Sequence, residues 1–307
     1  MSNFLLIVNP TARRGNGERS IPAIREAMTN LGASFELVQT NRPGHAIEIA
    51  RQVTANDYEA IAAVGGDGTV NEIVNGLIQA AGDSPTKVPM GIIPVGSGND
   101  FAYMMLRNDP GIQEACERLV KGQNKLVDVG IVTIDGENGS STSYFANGLG
   151  IGFDAQVTIE SRQIKLLRGF PMYFWAVLRT IIFHYNPVSV TVTCDGESYT
   201  QPLLMVTTAV GQRHGGGFYV TPLAIADDGL LDVCISGSPS RPAILPLIPR
   251  FMNGSHVTHP KCTMLRGHKI SVSSPEGLAA HIDGEIYTRS IKQFEMESIP
   301  ARLWVRC

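Results

Sequence analysis

The chain has 307 residues, 43% hydrophobic and 17% charged, with a formal net charge of −3 at pH 7. That length exceeds one hydrophobic core and predicts two domains. The composition excludes a disordered chain, and without a basic excess nothing supports a general nucleic-acid partner.

Phe4 to Val8 is a continuous apolar run suited to a central parallel strand. It stops at Asn9-Pro10, and a loop through Arg13, Arg14, Gly15 and Gly17 follows. Ile21, Ile24, Met28 and Leu31 mark a helix face closed by Gly32. Phe35 to Val38 reads as a second strand ending at Thr40, and Ala46, Ile49, Ala50 and Val53 as a second helix. Ala60 to Val64 is a third strand, broken by Gly65-Gly66-Asp67-Gly68-Thr69. Val70, Ile73, Val74, Leu77 and Ile78 then recur at helical spacing, before a fourth strand, Met90 to Ile93, and the loop Pro94 to Asp100.

This alternation predicts an open parallel sheet with helices on both faces. Ligands of such sheets sit beyond the carboxyl ends of the strands. Asn9, Thr40, Gly65 to Asp67 and Gly96 to Asp100 all fall there. A strand that breaks into glycines and then a helix presents backbone N–H groups at a positive dipole end, the outline of a phosphate site. Asp67 adds a carboxylate able to hold a metal ion against phosphates. The string is neither a Walker A loop nor a Gly-x-Gly-x-x-Gly dinucleotide loop.

Past Asp128 short alternating runs take over: 127–134, 144–151, 188–194, 203–210, 230–235, 269–272 and 280–282. Asp195-Gly196 is a hairpin signal. These runs predict an antiparallel second domain, a sandwich or barrel-like sheet pair. Helical patches interrupt it at 164–183 and 242–252, and Ala301 to Val305 reads as a last short strand. The five cysteines form no C-x-x-C pair, which points to reduced thiols in a cytoplasm. No basic segment precedes the first apolar run, so no secretory signal is expected. The most membrane-like segment, Phe170 to Tyr185, is too short to span and is interrupted by Arg179.

Asn9-Pro10, Gly-Gly-Asp-Gly-Thr-Val-Asn-Glu at 65–72, Gly96-Ser97-Gly98-Asn99-Asp100-Phe101-Ala102, Gly152-Phe153-Asp154-Ala155, Asp227 to Asp232 and Asp283-Gly284-Glu285 occur in that order. Together they resemble the soluble bacterial diacylglycerol-kinase-like lipid kinases, relatives of eukaryotic diacylglycerol and sphingosine kinases. The resemblance implies an α/β N-terminal domain with a parallel sheet, like that of NAD kinases and phosphofructokinases, over residues 1–128. It implies a β-rich, antiparallel, sandwich-like domain for the lipid over 129–295, with about 296–307 returning to the first. It further implies ATP-dependent phosphorylation of a lipid hydroxyl with magnesium, in a cytoplasmic protein peripheral to the membrane.

Carried over by position, the resemblance gives ATP to Asn9, Pro10, Thr40, Gly65, Gly66, Asp67, Gly68, Thr69, Asn71, Glu72, Gly96, Ser97, Asn99 and Asp100. Asp67 acts through the nucleotide's magnesium. Asp283 is the base for the lipid hydroxyl, with Glu285 beside it, and Lys165 lies near the transferred phosphate. Asp228 and the carbonyls of Ile225 and Leu230 hold a second, structural magnesium. Arg13 and Arg14 stand where the family commonly has a lysine after Ser-Gly; arginine neutralises phosphate through a planar fork rather than a point charge.

Read from the residues alone, Asp283 and Asp227-Asp228-Gly229 are also ordinary turn residues, and His281 is a satisfied strand histidine. The aromatic segment after Lys165 reads as a helix packed on the β domain, or as a surface docking on a bilayer. Two other functions fit the nucleotide motif: an NAD-kinase-like transfer to a soluble alcohol, and ATP binding without catalysis.

Overall fold

The computed structural model describes residues 3–136, 139–164, 166–167 and 169–307. The chain forms two compact units, 1–128 with 300–307, and 129–299. Lys165 and Arg168 lie outside the described residues.

The first unit runs β1 (Asn3–Val8), α1 (Ala12–Asn30), β2 (Ser34–Gln39), α2 (His45–Gln52), β3 (Ala60–Gly65), α3 (Asp67–Ala81), β4 (Met90–Pro94), α4 (Asp100–Leu106) and α5 (Ile112–Lys121). Its four strands are parallel in the order β4-β3-β1-β2. β3 is buried along its whole length, as an unbroken apolar run requires at the centre of a sheet covered on both faces. Ile24, Ala27 and Met28 of α1 and Ala115, Cys116 and Leu119 of α5 pack against one face of it. Arg13, Arg14 and Gly15 have φ of 44°, 58° and 88°, so the start of α1 is a loop and the helix proper follows it.

The second unit contains the remainder of β5 (Asn124–Gly136), β6 (Gly139–Phe145), β7 (Gly148–Gly152), α6 (Phe153–Gln163), α7 (Gly169–Arg179), β8 (Val188–Cys194), β9 (Glu197–Ala209), β10 (Leu231–Gly237), α8 (Arg241–Ile244), α9 (Leu247–Asn253), β11 (Cys262–Gly267), β12 (Lys269–Ile282) and most of β13 (Glu285–Arg306). The pairing is antiparallel. Residues 197–203 of β9 and 270–273 of β12 both pair with β8, while 205–209 and 280–282 of the same strands pair with β7. The circuit β9-β7-β12-β8 therefore closes on itself, around a core of Val192, Leu149, Val206, Val272, Ala280 and Phe294. Closure is how an all-antiparallel unit removes exposed edges.

Three features differ from the sequence reading. The run 144–151 is two strands, broken at Ala146-Asn147. Residues 153–163, read as part of a motif, form helix α6. Helix α7 is packed on one side only: Tyr173, Ala176 and Val177 lie in the core of the unit, while Trp175 is 48% and Phe183, just beyond the helix, 66% exposed. Among the described residues no helix is long and apolar enough to cross a membrane.

Candidate active site

In the first unit the loops after β1, β3 and β4 are tied together by backbone. Asn9 N–H donates to the Val64 carbonyl at 3.0 Å, and the N–H groups of Val95 and Gly96 both reach the Gly65 carbonyl, at 3.0 and 3.1 Å. Asn9 Nδ2 donates to Thr69 Oγ1 at 3.3 Å, while its Oδ1 accepts from the Thr11 N–H and hydroxyl. Asp67 Oδ1 takes the N–H of Phe101 at 3.0 Å, so the carboxylate opening α3 also anchors the start of α4. A Cβ on Gly96 would stand 2.4 Å from Gly66 Cα, so two glycine backbones lie face to face.

Beside this pair, Asn99 is held at φ 55°. Its Nδ2 reaches the Gly96 carbonyl at 3.5 Å, and its buried Oδ1 has no partner among the described residues. Buried amide oxygens are ordinarily matched, so this one marks the glycine cradle as a place with an acceptor to offer. Ser97 is exposed on the same loop. Thr40 joins the sheet edge through its N–H to the Val8 carbonyl at 2.8 Å. Pro10, Gly68, Asn71 and Asp100 lie within the same loops and first helical turns. The exposed Arg14 is in the left-handed turn after β1, its carbonyl accepting from Arg19.

Glu72 departs from its expected place among the nucleotide ligands. Its two carboxylate oxygens accept the N–H groups of Gly44 and Ala46, at 2.9 and 3.1 Å. The N-cap of α2 is a glycine and has no side chain to do this, so a carboxylate from α3 caps the helix instead. Glu72→Ala is expected to lower the unfolding free energy by about 1–2 kcal/mol. Urea denaturation checks this; unchanged stability with weakened ATP binding would return Glu72 to the ligand set.

In the second unit, Asp283 and Gly284 form the two-residue turn between β12 and β13, with φ of 47° and 82°. Asp283 is buried, although a hairpin-turn position ordinarily faces water. Its Oδ1 accepts the N–H groups of Gly148 at 2.7 Å and Asn147 at 3.1 Å, and its Oδ2 that of Ala146 at 3.2 Å. The carboxylate thus closes the break between β6 and β7. Glu285, exposed, is ion-paired with Arg162 of α6.

A buried polar cluster lies on the same face of the sheet. Asp154, in the first turn of α6, has Oδ2 at 3.2 Å from His281 Nε2. Thr207 donates to Oδ2 at 3.3 Å and the Tyr173 hydroxyl to Oδ1 at 3.4 Å. Burial works against the Asp154 charge, but His281 beside it, with His214 and Thr207, outweighs burial and holds its pKa down to about 2. Burial also opposes a charged His281, and the Asp154 carboxylate overcomes this and raises its pKa. His214 has no such close partner, and burial pushes it down to about 4. Gly148 and Gly150 make the space: a Cβ on Gly150 would lie 2.3 Å from Asp154 Oδ2, and one on Gly148 2.3 Å from the His214 ring. His281 and His214 were not marked as site residues, and Asp154 was marked without a role. The alternating glycines of Gly148-Leu149-Gly150-Ile151-Gly152 were the available signal. Asp154 and His214 form one end of an otherwise apolar cavity of about 70 Å3, lined by Val157, Val177, Phe218 and Ile248 among others.

The Ile225–Leu230 loop does not fit the second magnesium the resemblance implied. Asp228 Oδ1 accepts the Leu230 N–H at 3.1 Å, and its Oδ2 is ion-paired with Arg266. Arg266 Nε also reaches Asp232 at 3.4 Å. A guanidinium already supplies the positive charge there. Among the described residues no three His, Cys, Asp or Glu side chains gather to hold a metal. A nucleotide's magnesium needs no such cage, since phosphates and waters fill most of its shell. Asp67, at the glycine cradle, suits that smaller demand.

Residues 3–132 match the diacylglycerol kinase catalytic domain, and residues 148–306 the YegS C-terminal NAD kinase beta sandwich-like domain. A diacylglycerol kinase from Staphylococcus carnosus is 26% identical over 281 residues, 91% of this chain and 87% of that protein. The crystal structure of a diacylglycerol kinase from Bacillus anthracis superposes with a TM-score of 0.69 at 23% identity, covering 99% of this chain and 96% of that one. An Archaeoglobus fulgidus NAD kinase solved in complex with ATP shares the fold, with a TM-score of 0.54 and 13% identity over all of this chain and 94% of its own.

Proposed function

The chain belongs to the diacylglycerol-kinase-like family, a diacylglycerol kinase catalytic domain followed by a YegS-type C-terminal domain, and from this we propose that it transfers the γ-phosphoryl group of ATP to a hydroxyl of diacylglycerol or a related lipid. One observation in the first unit carries the nucleotide half of the reading. The Gly66 and Gly96 backbones meet at the carboxyl ends of β3 and β4, with the orphaned Asn99 Oδ1 beside them. Backbone N–H groups at the start of α3 suit a phosphate there. Magnesium, when bound with the nucleotide, supplies charge neutralisation at the transferred group. Asp67 is the side chain to hold it, already oriented by the Phe101 N–H.

Asp283 is the candidate base. Its turn is held rigid by three backbone donors, which fixes the carboxylate in one orientation. The lipid half is supported by the apolar cavity of the second unit. The exposed aromatic residues at 174–183, with Arg179 among them, support peripheral contact with a bilayer.

The test is transfer of labelled phosphate from ATP with magnesium to dioctanoylglycerol in mixed micelles, with NAD as the competing acceptor. Label in the lipid, lost in Asp67→Ala, is the expected result. Label in NAD alone would overturn the lipid assignment and leave the kinase fold with a soluble acceptor.

A further inference from the structure

The closed circuit of the second unit has a joint in its wall. On β9, Leu203 pairs with Val188 of β8 and Met205 with Gly152 of β7, so β8 and β7 follow one another along one side of β9 with Leu204 between them. On the other side, β12 pairs with β8 as far as Ser273 and with β7 from Ala280, and residues 274–279 lie between. Helix α6 leaves the wall at this joint, and the chain returns to it at Val188. Gly152 and Gly277, with φ of 86° and 73°, stand at the joint and offer no side chain to plug it.

A second cavity, of about 250 Å3, opens here. Interiors are close-packed and hold few voids larger than a water molecule, so an opening of this size is one a small ligand can use. Ile151, Leu203 and Leu278, all buried, form its apolar part, and Gln156, Asn186, Glu276 and Arg289 also line it. Glu276 and Arg289 are exposed, and their side chains pair neither with each other nor with any other described residue. The amides of Gln156 and Asn186 are equally uncommitted among the described residues. The other titratable groups at the cavity are engaged elsewhere: His184 Nε2 lies 3.1 Å from the buried Glu160, and the Tyr185 hydroxyl 3.1 Å from Ser238 Oγ. One cation, one anion and two neutral amides are thus left to a ligand, beside an aliphatic wall.

We propose that this joint binds a small zwitterion, its anion on Arg289, its cation on Glu276 and its carbon skeleton against Leu203 and Leu278. Charge complementarity selects the class. A ligand carrying only an anion would meet Arg289 but be repelled by Glu276, and one carrying only a cation would meet the reverse. A ligand with both charges a few bonds apart satisfies both side chains at once. A free amino acid and the phosphoethanolamine head of a phospholipid share this chemistry. The site lies outside the nucleotide cradle and the apolar cavity at Asp154, and it does not depend on which alcohol accepts the phosphate.

The test titrates the full chain with L-leucine and with sn-glycero-3-phosphoethanolamine, read by carbon-13 NMR of the leucine methyl groups. One or both should shift the Leu203 and Leu278 methyl resonances, and the tighter of the two identifies a free metabolite or a lipid headgroup as the source. 4-Methylpentanoate, which is leucine without its ammonium, and 3-methylbutylamine, which is leucine without its carboxylate, should each bind at least about tenfold more weakly than the better zwitterion, the worth of one hydrogen bond to a charged group. Arg289→Gln should weaken the zwitterion about tenfold without weakening the amine, and Glu276→Gln should do so without weakening the carboxylate. Both side chains are exposed and uncommitted, so neither change disturbs the fold. Methyl resonances of Leu203 and Leu278 indifferent to both zwitterions would overturn the proposal with no variant needed. So would a singly charged analogue that binds as tightly as the better zwitterion, or wild-type affinity in both glutamine variants.

Discussion

Asp283→Asn should lower phosphate transfer by at least about a hundredfold and lower the unfolding free energy by about 1–3 kcal/mol. The two effects have separate causes. As a base, the carboxylate accepts the hydroxyl proton, and an amide cannot. As an anchor, it receives three backbone N–H groups, two on Oδ1 and one on Oδ2. An asparagine presents one oxygen and one NH2, so at least one N–H group faces a donor. Asparagine tolerates the left-handed φ of 47°, so backbone strain does not enter. The substitution is isosteric, but it perturbs folding as well as chemistry. Turnover must therefore be measured beside denaturation. A rate loss that merely follows the folded fraction would remove Asp283 from the chemistry and leave it as the clasp between β6 and β7.

Gly96→Ala should weaken ATP binding by tenfold or more and destabilise the first unit by about 1–3 kcal/mol. The added methyl would meet Gly66 Cα at 2.4 Å, Asn99 Oδ1 at 2.7 Å and Gly66 N at 3.0 Å. Two of these atoms are main chain and cannot rotate away. The loops must part, which stretches the Val95 and Gly96 bonds to the Gly65 carbonyl and moves the N–H groups at the start of α3. Gly217→Ala is the control, since a Cβ there meets nothing within 4 Å. Calorimetric titration with ATP and magnesium, and a denaturant melt, check both variants. Full ATP affinity in Gly96→Ala would remove the glycine pair from the nucleotide site.

The parallel sheet was legible because β1 and β3 are continuous apolar runs and glycine-bearing loops follow β1, β3 and β4. The Asp195-Gly196 hairpin was legible for the same local reason. What stayed hidden depended on partners far along the chain. Glu72 lies in a nucleotide motif, yet it caps a helix whose N–H groups sit 26 and 28 positions earlier. Helix α6 gave a weak periodic signal because it buries Asp154, Thr158 and Glu160 beside its apolar residues. His281 reads as a strand residue until Asp154 is brought to it across 127 positions, 281 less 154. Asp228 reads as a turn or metal aspartate until Arg266 arrives from β11.

Strand β13 has a consequence in time. Its last residues belong to the first unit: Val305 pairs with Met90, the Thr86 N–H donates to the Arg302 carbonyl at 2.9 Å, and Arg302 Nη1 donates to the Ser84 carbonyl at 2.6 Å. Ala301 N–H reaches Asp128 at 2.8 Å, and Cys307 exchanges backbone bonds with Gln123. Residues 129–299 are translated between the two segments of that unit, 171 residues by subtraction. At about 5–20 residues per second, the open edge of β4 waits on the order of 10–30 s for its neighbour. During synthesis the apolar Met90 edge is an unsatisfied template for any passing strand. The first unit therefore receives its last strand only after the whole of residues 129–299 has been made.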